Sequence, residues 1–414
     1  MKIVFVQPNV GFKGHTWEAL GIGYIISSLK ERVDEDMDID FYSGFYDSDA
    51  TIIDACEDAD IISFSCTSPQ YKHGVELAQQ IKTSENITVF GGIHPSVLPL
   101  DVAHHPAVDT VIVGEGEIKF SDLVKEYAET SESKWRIMVD QYIPDINTLP
   151  FPDRITIKNE RNIQQAFKDN GVRITSTISS RGCPFKCTFC CSKNLWGNTV
   201  RYRTPENILA EMVHLEKMWN VQFLKFADDT FTVNKKRLLE FCHLKRFMGV
   251  YLPFGANAHV NTIDEGVMAA LVDANCKELW FGVESGSPRI LAEMRKATNV
   301  DKIRAAFKLA KEYGIKTRAY CLLGMPSETL EDIHLTEQLI DEIEPDTVGF
   351  TLLAPYPTNE YYLYKDMKGW DWSTFDEYSN TWVRTETLSN EQLRAEQQRL
   401  VEKYQQIATF RQKK

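Results

Sequence analysis

The stretch SRGCPFKCTFCC, from Ser180 to Cys191, holds four of the nine cysteines of this 414-residue chain. Three of them, Cys183, Cys187 and Cys190, have the spacing C-x3-C-x2-C. Three thiolates in one loop can hold three irons of a [4Fe–4S] cluster and leave the fourth iron open. A structural zinc ion usually takes two separated pairs of ligands, and the sequence offers no second pair. Cys191 adjoins Cys190, so we expect it to be a buried bystander.

Six predicted strands alternate with helices from Val172 onward, and the cysteines directly follow the first strand. The strand candidates are VRITSTISS (172–180), VQFLKFA (221–227), LPFGANA (252–258), KELWFGVES (277–285), IKTRAYCLLG (315–324) and DTVGFTLLA (346–354). Six such units make a partial, TIM-like (β/α)6 version of the eightfold barrel, whose working face lies at the carboxyl ends of the strands. We predict this barrel over residues 172–353, with the cysteines at its working face.

The preceding residues predict a separate α/β domain. Its apolar strand candidates, which alternate with helices, are KIVFVQ (2–7), DIDFYSG (38–44), ADIISFSC (59–66), NITVFGG (86–92) and DTVIVGEGE (109–117). Strands that are apolar throughout indicate a parallel sheet covered on both faces. We therefore predict a doubly wound, Rossmann-like domain over residues 1–142 and a proline-rich linker over 143–171. Residues 354–414 predict an aromatic, mostly helical region that packs over the barrel or completes a pocket.

Charge and hydropathy exclude some partners. The formal net charge is −13 and the sequence pI is about 5.3, which disfavours nucleic acid because phosphate binding depends on Lys and Arg. No apolar run approaches the roughly 18 residues of a membrane span. The first residues form too short an apolar run for a signal peptide, so we expect a cytoplasmic protein. In a reducing compartment a tight cysteine cluster more often binds metal than forms disulfides.

The cysteine motif on the first strand of six β/α units resembles the radical S-adenosylmethionine (SAM) superfamily. The resemblance implies that the open iron binds the amino and carboxylate groups of SAM. An electron from the cluster then cleaves SAM to a 5'-deoxyadenosyl radical, which removes a hydrogen from the substrate. An electron donor of the ferredoxin or flavodoxin type is the implied partner.

The same resemblance points to SAM-binding residues after later strands. Asp228 and Asp229, in FADDTF, are expected to meet the SAM amino group, or else to cap the next helix. Glu284 and Ser285, in GVESGS, are expected to contact its ribose and carboxylate. Lys296 matches a position that pairs with the carboxylate; the alternative is a solvated helix lysine.

The loop after the fifth strand and the aromatic tail supply the remaining barrel candidates. Leu323 and Gly324, in LLGMPSET, are expected to lie against the adenine, since glycine permits close backbone approach. We expect two residues of the fifth strand to face the substrate cavity as catalytic candidates: Tyr320 and Arg318. Three tail tyrosines either orient substrate at its rim or simply pack the tail: Tyr356, Tyr361 and Tyr362.

Two versions of the family carry an amino-terminal parallel-sheet domain. Methylthiotransferases have three further cluster cysteines there, whereas this domain offers only Cys56 and Cys66. The other version binds cobalamin, and SCTSPQ, GGIHPS and GEGE resemble its strand-end loops. The residues implied to contact cobalamin are Ser65, Thr67, Ser68, Gly91, Gly92, Gly114, Glu115 and Gly116. The D-x-H-x-x-G signature is absent, so the usual cobalt ligand is missing; His15 or His94 could replace it, although each fits a loop or capping role better.

Together these features imply a cobalamin-dependent radical SAM methyltransferase. One SAM would methylate cobalt, and a second would yield the radical that activates an unactivated substrate carbon. The alternatives are a cyclase or oxidase of a tetrapyrrole-like molecule without methyl transfer, another radical SAM reaction, and a module that binds without turnover. The expected substrate is a protein or peptide residue, such as a glutamine of methyl-coenzyme M reductase, or a small molecule.

Overall fold

The computed structural model describes residues 1–10, 18–139, 142–197, 199–357, 359–361, 371–378 and 380–412, with only the backbone for 194 and 406–412. Two six-stranded parallel sheets dominate it. The first sheet has the strand order β2-β1-β3-β4-β5-β6. Its strands are β1 (Lys2–Gln7), β2 (Asp38–Ser43), β3 (Ile61–Ser65), β4 (Ile87–Gly91), β5 (Thr110–Val113) and β6 (Ile137–Val139). The five predicted strands are present, and the short edge strand β6 was not predicted.

Helices cover both faces of this sheet. They are α1 (Leu20–Arg32), α2 (Asp49–Cys56), α3 (Ser68–Ile81), α4 (Ile93–Val97), α5 (Pro99–Ala103) and α6 (Gly116–Thr130). Side chains alternate across the pleat, so Phe5 packs towards α1 and α6 while Val6 packs towards α2 and α3. This two-sided burial explains the unbroken apolar strands and confirms the predicted doubly wound fold.

The segment proposed as a linker is more ordered than its polar composition suggests. It includes a short 3-10 helix at Ile146–Thr148 and the helix α7 (Glu160–Asn170), which buries Ile163. Its backbone also packs on the first domain, since Ser27 Oγ donates to the carbonyl of Phe151 at 2.6 Å. The chain between the two sheets is therefore a packed connection.

The second sheet contains all six predicted barrel strands in chain order, from β7 to β14. They are β7 (Ile174–Thr177), β10 (Phe223–Phe226), β11 (Phe254–Ala258), β12 (Cys276–Glu284), β13 (Lys316–Leu323) and β14 (Thr347–Leu352). Their helices are α9 (Pro205–Trp219), α10 (Lys235–Phe247), α11 (Glu265–Asp273), α12 (Pro288–Glu293), α13 (Val300–Glu312) and α14 (Leu330–Ile343). An antiparallel pair that was not predicted, β8 (Ser180–Arg181) with β9 (Arg201–Tyr202), brackets the cysteine loop and α8 (Ser192–Trp196).

The carboxyl-terminal region attaches to both domains. Its long helix α15 (Asn390–Gln412) packs on the edge strand β14, and Gln397 Nε2 donates to the carbonyl of Phe350 at 3.0 Å. We call residues 371–378 the strap. Its 3-10 helix, Trp372–Thr374, packs on α3, and the Leu352 N–H donates to the carbonyl of Glu377 at 2.7 Å. No helix among the described residues is long and apolar enough to cross a bilayer.

Candidate functional site

A cavity of about 330 Å³ lies at the carboxyl edge of the first sheet. The predicted residues that line it are Ser65, Thr67, Gly91, Gly92, Gly114, Glu115 and Gly116. Most of the remaining wall is apolar and includes Ile22 and Ile112. The loops that sequence analysis chose separately therefore meet at one site.

Glycine shapes this cavity at two positions. Gly92 has φ of +92°, and an added Cβ would lie 2.9 Å from the Cys66 nitrogen. A Cβ on Gly116 would lie 2.9 Å from Ile25 Cδ1. A wall of bare backbone, hydroxyl groups and aliphatic side chains suits a large ligand that passes close to the main chain. These residues fit the nucleotide tail and corrin of cobalamin.

Two predicted contact residues lie behind the cavity wall instead. His94 Nδ1 and Ser68 Oγ are hydrogen-bonded at 3.0 Å, and both residues are buried. The His94 ring stacks on Tyr71 and also contacts Trp372 of the strap. Burial lowers the pKa of His94 to about 3, so its ring is neutral. The structure thus gives His94 and Ser68 a packing role rather than a place at the cavity, and His15 lies outside the described residues.

Glu115 has an ionic role that sequence analysis did not foresee. Its carboxylate pairs with Arg181 at 3.1 Å and with Arg201 at 2.7 Å, and it accepts from the Ile143 N–H. Burial alone would raise the pKa of Glu115, but these hydrogen bonds and charges lower it overall. Arg181 also pairs with Glu117 at 2.6 Å. Buried ion pairs therefore join the first domain to the segments on both sides of the cysteine loop.

The three predicted cluster cysteines lie in one loop beyond β7. Cys187 is buried, and Cys183 and Cys190 are half-buried. Burial raises the pKa of each thiol, to about 12 for Cys190. The Ser192 N–H donates to Cys190 Sγ at 3.4 Å. Among the described side chains, no three His, Cys, Asp or Glu converge as they would around a single metal ion.

The donor set of this loop fits an iron–sulfur cluster, because it offers three buried or half-buried sulfurs. The cationic Lys296 is close by, with its Nζ 5.9 Å from the ring centroid of Phe189 in the same loop. The loop is anchored to the barrel through Thr188, whose N–H donates to the Met294 carbonyl at 3.0 Å. Phe185 stacks on His259 with ring centroids 4.0 Å apart. Cys191 is half-buried, so the prediction that it is buried was wrong.

The two aspartates after β10 differ in environment. Asp228 is buried and accepts from the Ser179 N–H at 2.6 Å and from the Ser180 hydroxyl at 2.8 Å, so it fixes the start of the cysteine loop. Asp229 is exposed and accepts from Ser192 Oγ at 2.6 Å. Neither caps the next helix, since Asn234 is the N-cap of α10. Asp229 is thus the one that faces an open site.

Glu284 and Lys296 form a buried ion pair of 2.6 Å beside the cysteines. Burial would lower the pKa of the Lys296 ammonium, but the charge and hydrogen bond of Glu284, together with the nearby Cys187 and Cys190, raise it overall. Glu284 has φ of 64°, a left-handed conformation that is costly for a residue with a Cβ. The neighbours of Lys296, Arg295 and Ala297, are also left-handed. The alternative of a solvated lysine is wrong, and strain of this kind clusters at functional sites.

A glycine creates the space for this pair. A Cβ on Gly282 would lie 2.5 Å from Lys296 Nζ and closer still to Glu284 Oε1. The register of β12 with β13 shifts between Gly282 and Glu284, which turns the carboxylate towards the lysine. Gly282 is the first residue of GVESGS, but sequence analysis assigned roles only to Glu284 and Ser285 of this motif.

The remaining SAM candidates are mostly buried. Ser285 Oγ accepts from the Ser287 N–H at 3.1 Å and contacts Thr336 Oγ1 at 3.2 Å, so its hydroxyl holds the turn against α14. Leu323 is buried in the barrel core. Gly324 has φ of +95°, and its N–H donates to Glu328 Oε2 at 2.5 Å. Gly324 is buried, and a Cβ there would meet Val383 at 3.4 Å and Leu393 at 3.6 Å, so this position packs against the carboxyl-terminal region.

Arg318 and Tyr320 lie on the concave face of the barrel sheet. Their neighbours Ala319 and Cys321 point to the helices and belong to the core. The Arg318 guanidinium lies 4.9 Å from the Tyr320 ring centroid, and Tyr320 is in register with Gly282. The two side chains therefore lie on the barrel interior beside the ion pair of Glu284 and Lys296.

The strap brings further groups to this face that sequence analysis missed. Burial, then the charge of Asp376, raises the pKa of Glu377, with Glu284 also contributing. Burial and the charge of Glu377 raise the pKa of Tyr378 to about 12, and Arg318 acts in the opposite direction. The hydrogen bond from the Leu352 N–H to the Glu377 carbonyl places these two residues at the carboxyl end of β14.

The tail tyrosines have different positions. Tyr356 is half-buried, and its hydroxyl donates to the Phe375 carbonyl at 3.3 Å. Tyr361 shares a hydrogen bond of 2.7 Å with Thr188 of the cysteine loop. Tyr361 therefore packs the tail on that loop, while Tyr362 lies outside the described residues.

Comparison with known proteins agrees with both halves of this architecture. Residues 9–124 match the B12 binding domain model, and residues 177–340 match the Radical SAM superfamily model. These two models bear out the predicted cofactor set of cobalamin, SAM and a [4Fe–4S] cluster.

Two curated relatives span most of the chain. The uncharacterized methyltransferase PH0819 of Pyrococcus horikoshii is 30% identical over 381 residues, which cover 88% of this chain and 83% of the relative. The anaerobic magnesium-protoporphyrin IX monomethyl ester cyclase of Rubrivivax gelatinosus is 26% identical over 405 residues, which cover 87% of this chain and 69% of the relative.

A solved structure supports the fold. The radical SAM methyltransferase TsrM from Kitasatospora setae, with cobalamin and a [4Fe–4S] cluster bound, superposes with a TM-score of 0.69 at 15% identity. The match covers 85% of this chain and 72% of that structure. By the two domain matches and its similarity to the Pyrococcus horikoshii protein, this chain belongs to the cobalamin-binding radical SAM family.

Proposed function

We propose that this member of the family methylates an unactivated carbon of its substrate. One observation carries the proposal: the cavity of the first domain is walled partly by Arg181 and Trp196, which flank the three cysteines. A site for cobalamin and a site for the cluster therefore adjoin. When bound, cobalamin would supply a methyl carrier, and the cluster with SAM would supply a hydrogen-abstracting radical.

The chain's own residues would hold these groups as follows. Backbone at Gly91 and Gly92, with the hydroxyls of Ser65 and Thr67, would line the tail of cobalamin. Cys183, Cys187 and Cys190 would ligate the cluster.

The SAM side would be formed by groups beyond the cysteines. The Lys296 ammonium would meet the SAM carboxylate, since the ion pair with Glu284 keeps it charged and fixed in place. Glu284 and Asp229 would accept from the ribose or the amino group. These assignments rest on one shared location, at the carboxyl ends of the barrel strands.

We further propose that the substrate binds on the concave face, between Tyr320, Arg318 and the strap. Arg318 is exposed there, so it is available to an anionic or carbonyl group of the substrate. Glu377, whose pKa burial raises, would form a hydrogen bond with an amide of the substrate. Such groups suit a peptide segment as well as a polar small molecule.

The first experiment tests cofactor loading. Protein purified without oxygen is reconstituted with iron, sulfide and hydroxocobalamin, desalted, and examined for iron content and for the corrin band. About four irons with a retained corrin band would support both cofactors. Iron without retained corrin would remove the proposed methyl carrier and leave the radical SAM assignment intact.

The second experiment tests the reaction. Loaded protein is incubated with SAM carrying a labelled methyl group, and ferredoxin or flavodoxin serves as the proposed electron donor. The substrates to test first are a glutamine-containing peptide of methyl-coenzyme M reductase and a panel of polar metabolites and tetrapyrroles. A product heavier by one methylene supports methylation.

A cyclase or oxidase is the second candidate, because the Rubrivivax gelatinosus relative is named a cyclase. A substrate that loses hydrogens or gains oxygen, with SAM cleaved and no methyl label transferred, would favour it. Product mass therefore separates the two candidates in the same incubation.

A further inference from the structure

Both ends of the cysteine loop form part of the cavity wall in the first domain. Arg181, two positions before Cys183, lines the cavity, as does Trp196, which ends the short helix after Cys190. That helix, α8, also contacts α4, the helix that follows the glycine pair of the cavity. The wall of the cavity is thus continuous with the loop that carries the cluster ligands.

Arg181 lies at the centre of this junction and contacts both the first domain and the cysteine segment. Its guanidinium is buried and pairs with Glu115 at 3.1 Å and Glu117 at 2.6 Å, both contributed by the first domain. Aromatic rings flank the guanidinium as well: Tyr24 of the first domain lies 5.4 Å away, and Trp196 of the cysteine segment lies 5.5 Å away. A planar cation held by two carboxylates and two rings has little freedom to move.

We propose that Arg181 is a positioning residue that couples the cavity to the cysteine loop, so that corrin and cluster bind cooperatively. The inference rests on the proposed function, because it assumes that the cavity takes a corrin. A ligand that fills the cavity packs against Arg181 and Trp196 and fixes the guanidinium between its two carboxylates and the Trp196 ring. The fixed guanidinium then holds Gly182 and Cys183 in place for the cluster, and by linkage the cluster must favour the corrin equally.

The test measures hydroxocobalamin affinity by visible titration of the full chain, with and without a reconstituted cluster. We expect the cluster to tighten corrin binding by about tenfold in the wild type, within the usual range for coupled sites. The ratio of the hydroxocobalamin dissociation constant without the cluster to that with the cluster measures the coupling. In Arg181→Met and in Trp196→Leu this ratio should fall towards one. Arg246→Met, which removes an exposed ion pair with Asp273, should keep the wild-type ratio.

A second readout separates coupling from folding damage. Adding hydroxocobalamin should change the electron paramagnetic resonance spectrum of the reduced cluster in the wild type and leave it unchanged in Trp196→Leu. Thermal unfolding identifies variants that are merely unstable. Trp196→Leu is the safer variant, since it keeps the ion pairs of Arg181 and removes only the ring that holds the guanidinium against the cysteine segment.

The outcomes are distinct. A wild-type ratio near one, or an undiminished ratio in both variants, overturns the coupling while the proposed function stands. Loss of both cofactors in Arg181→Met with an unchanged ratio for the fraction that still binds also overturns it, since that pattern is structural damage. Wild-type protein that binds no hydroxocobalamin would refute the inference and the proposed function together.

Discussion

Gly282→Ala should weaken SAM binding while leaving the fold intact. The new Cβ would lie within 2.5 Å of Lys296 Nζ and of Glu284 Oε1, whereas ordinary contacts of a Cβ begin at 3.4 Å. Both atoms lie at the ends of flexible side chains, so they can move away by about 1 Å while the backbone stays in place. This movement displaces the Lys296 ammonium and the Glu284 carboxylate, which are the groups proposed to contact SAM.

The expected loss of SAM affinity follows from the hydrogen bond to SAM that Lys296 or Glu284 would no longer make. A hydrogen bond to a charged group contributes about 1.5–3 kcal/mol, and each 1.4 kcal/mol is tenfold in affinity. We therefore expect SAM to bind roughly 10- to 100-fold more weakly to cluster-loaded Gly282→Ala, as measured by equilibrium dialysis.

The matched control is Gly266→Ala, in the exposed first turn of α11. Its nearest neighbour would be Asp264 Oδ1 at 3.3 Å, so the change should be neutral or slightly stabilising. Gly282→Ala protein that keeps its cluster and binds SAM within twofold of the wild type would refute the assignment of Glu284 and Lys296.

Three further predictions concern the cysteine loop and two buried carboxyl groups. Cys191→Ala should retain the full iron content after reconstitution, and Cys190→Ala should lose it. Burial raises the pKa of Glu328 from 4.5 to about 8, so this group costs stability as pH rises from 4.5 to 8. Glu328→Gln should therefore be more stable than the wild type in urea at pH 8 and similar at pH 5. Burial would raise the pKa of Glu211, yet the charges of Arg203 and Arg154 and the hydrogen bonds from Arg154 and Thr177 together outweigh it, and the pKa is about 2. The contribution of Glu211 to the free energy of unfolding is complete above pH 4.5 and is lost as the pH falls through 2. Glu211→Ala should lower the free energy of unfolding at pH 7 by about 3–5 kcal/mol, as measured by chemical unfolding.

Local sequence determined the fold class and the cluster motif. Apolar runs bounded by turns identify five strands of the first sheet, because a strand buried on both faces must be apolar throughout. The regular alternation of strand and helix patterns identifies the six barrel strands. The spacing of Cys183, Cys187 and Cys190 is equally local, since one loop supplies all three thiols. The carboxyl ends of parallel strands meet at one edge, which is why loops distant in sequence could be assigned to one site.

Only the tertiary structure decided which residues of those loops reach the site. His94 and Ser68 occupy a predicted loop, yet they bond to each other behind the cavity. Arg181 and Trp196 line it although no motif marks them, because the junction of two domains brings them there. A side chain's direction and its partners depend on what packs against it from elsewhere in the chain, and that information is absent from any single stretch of sequence.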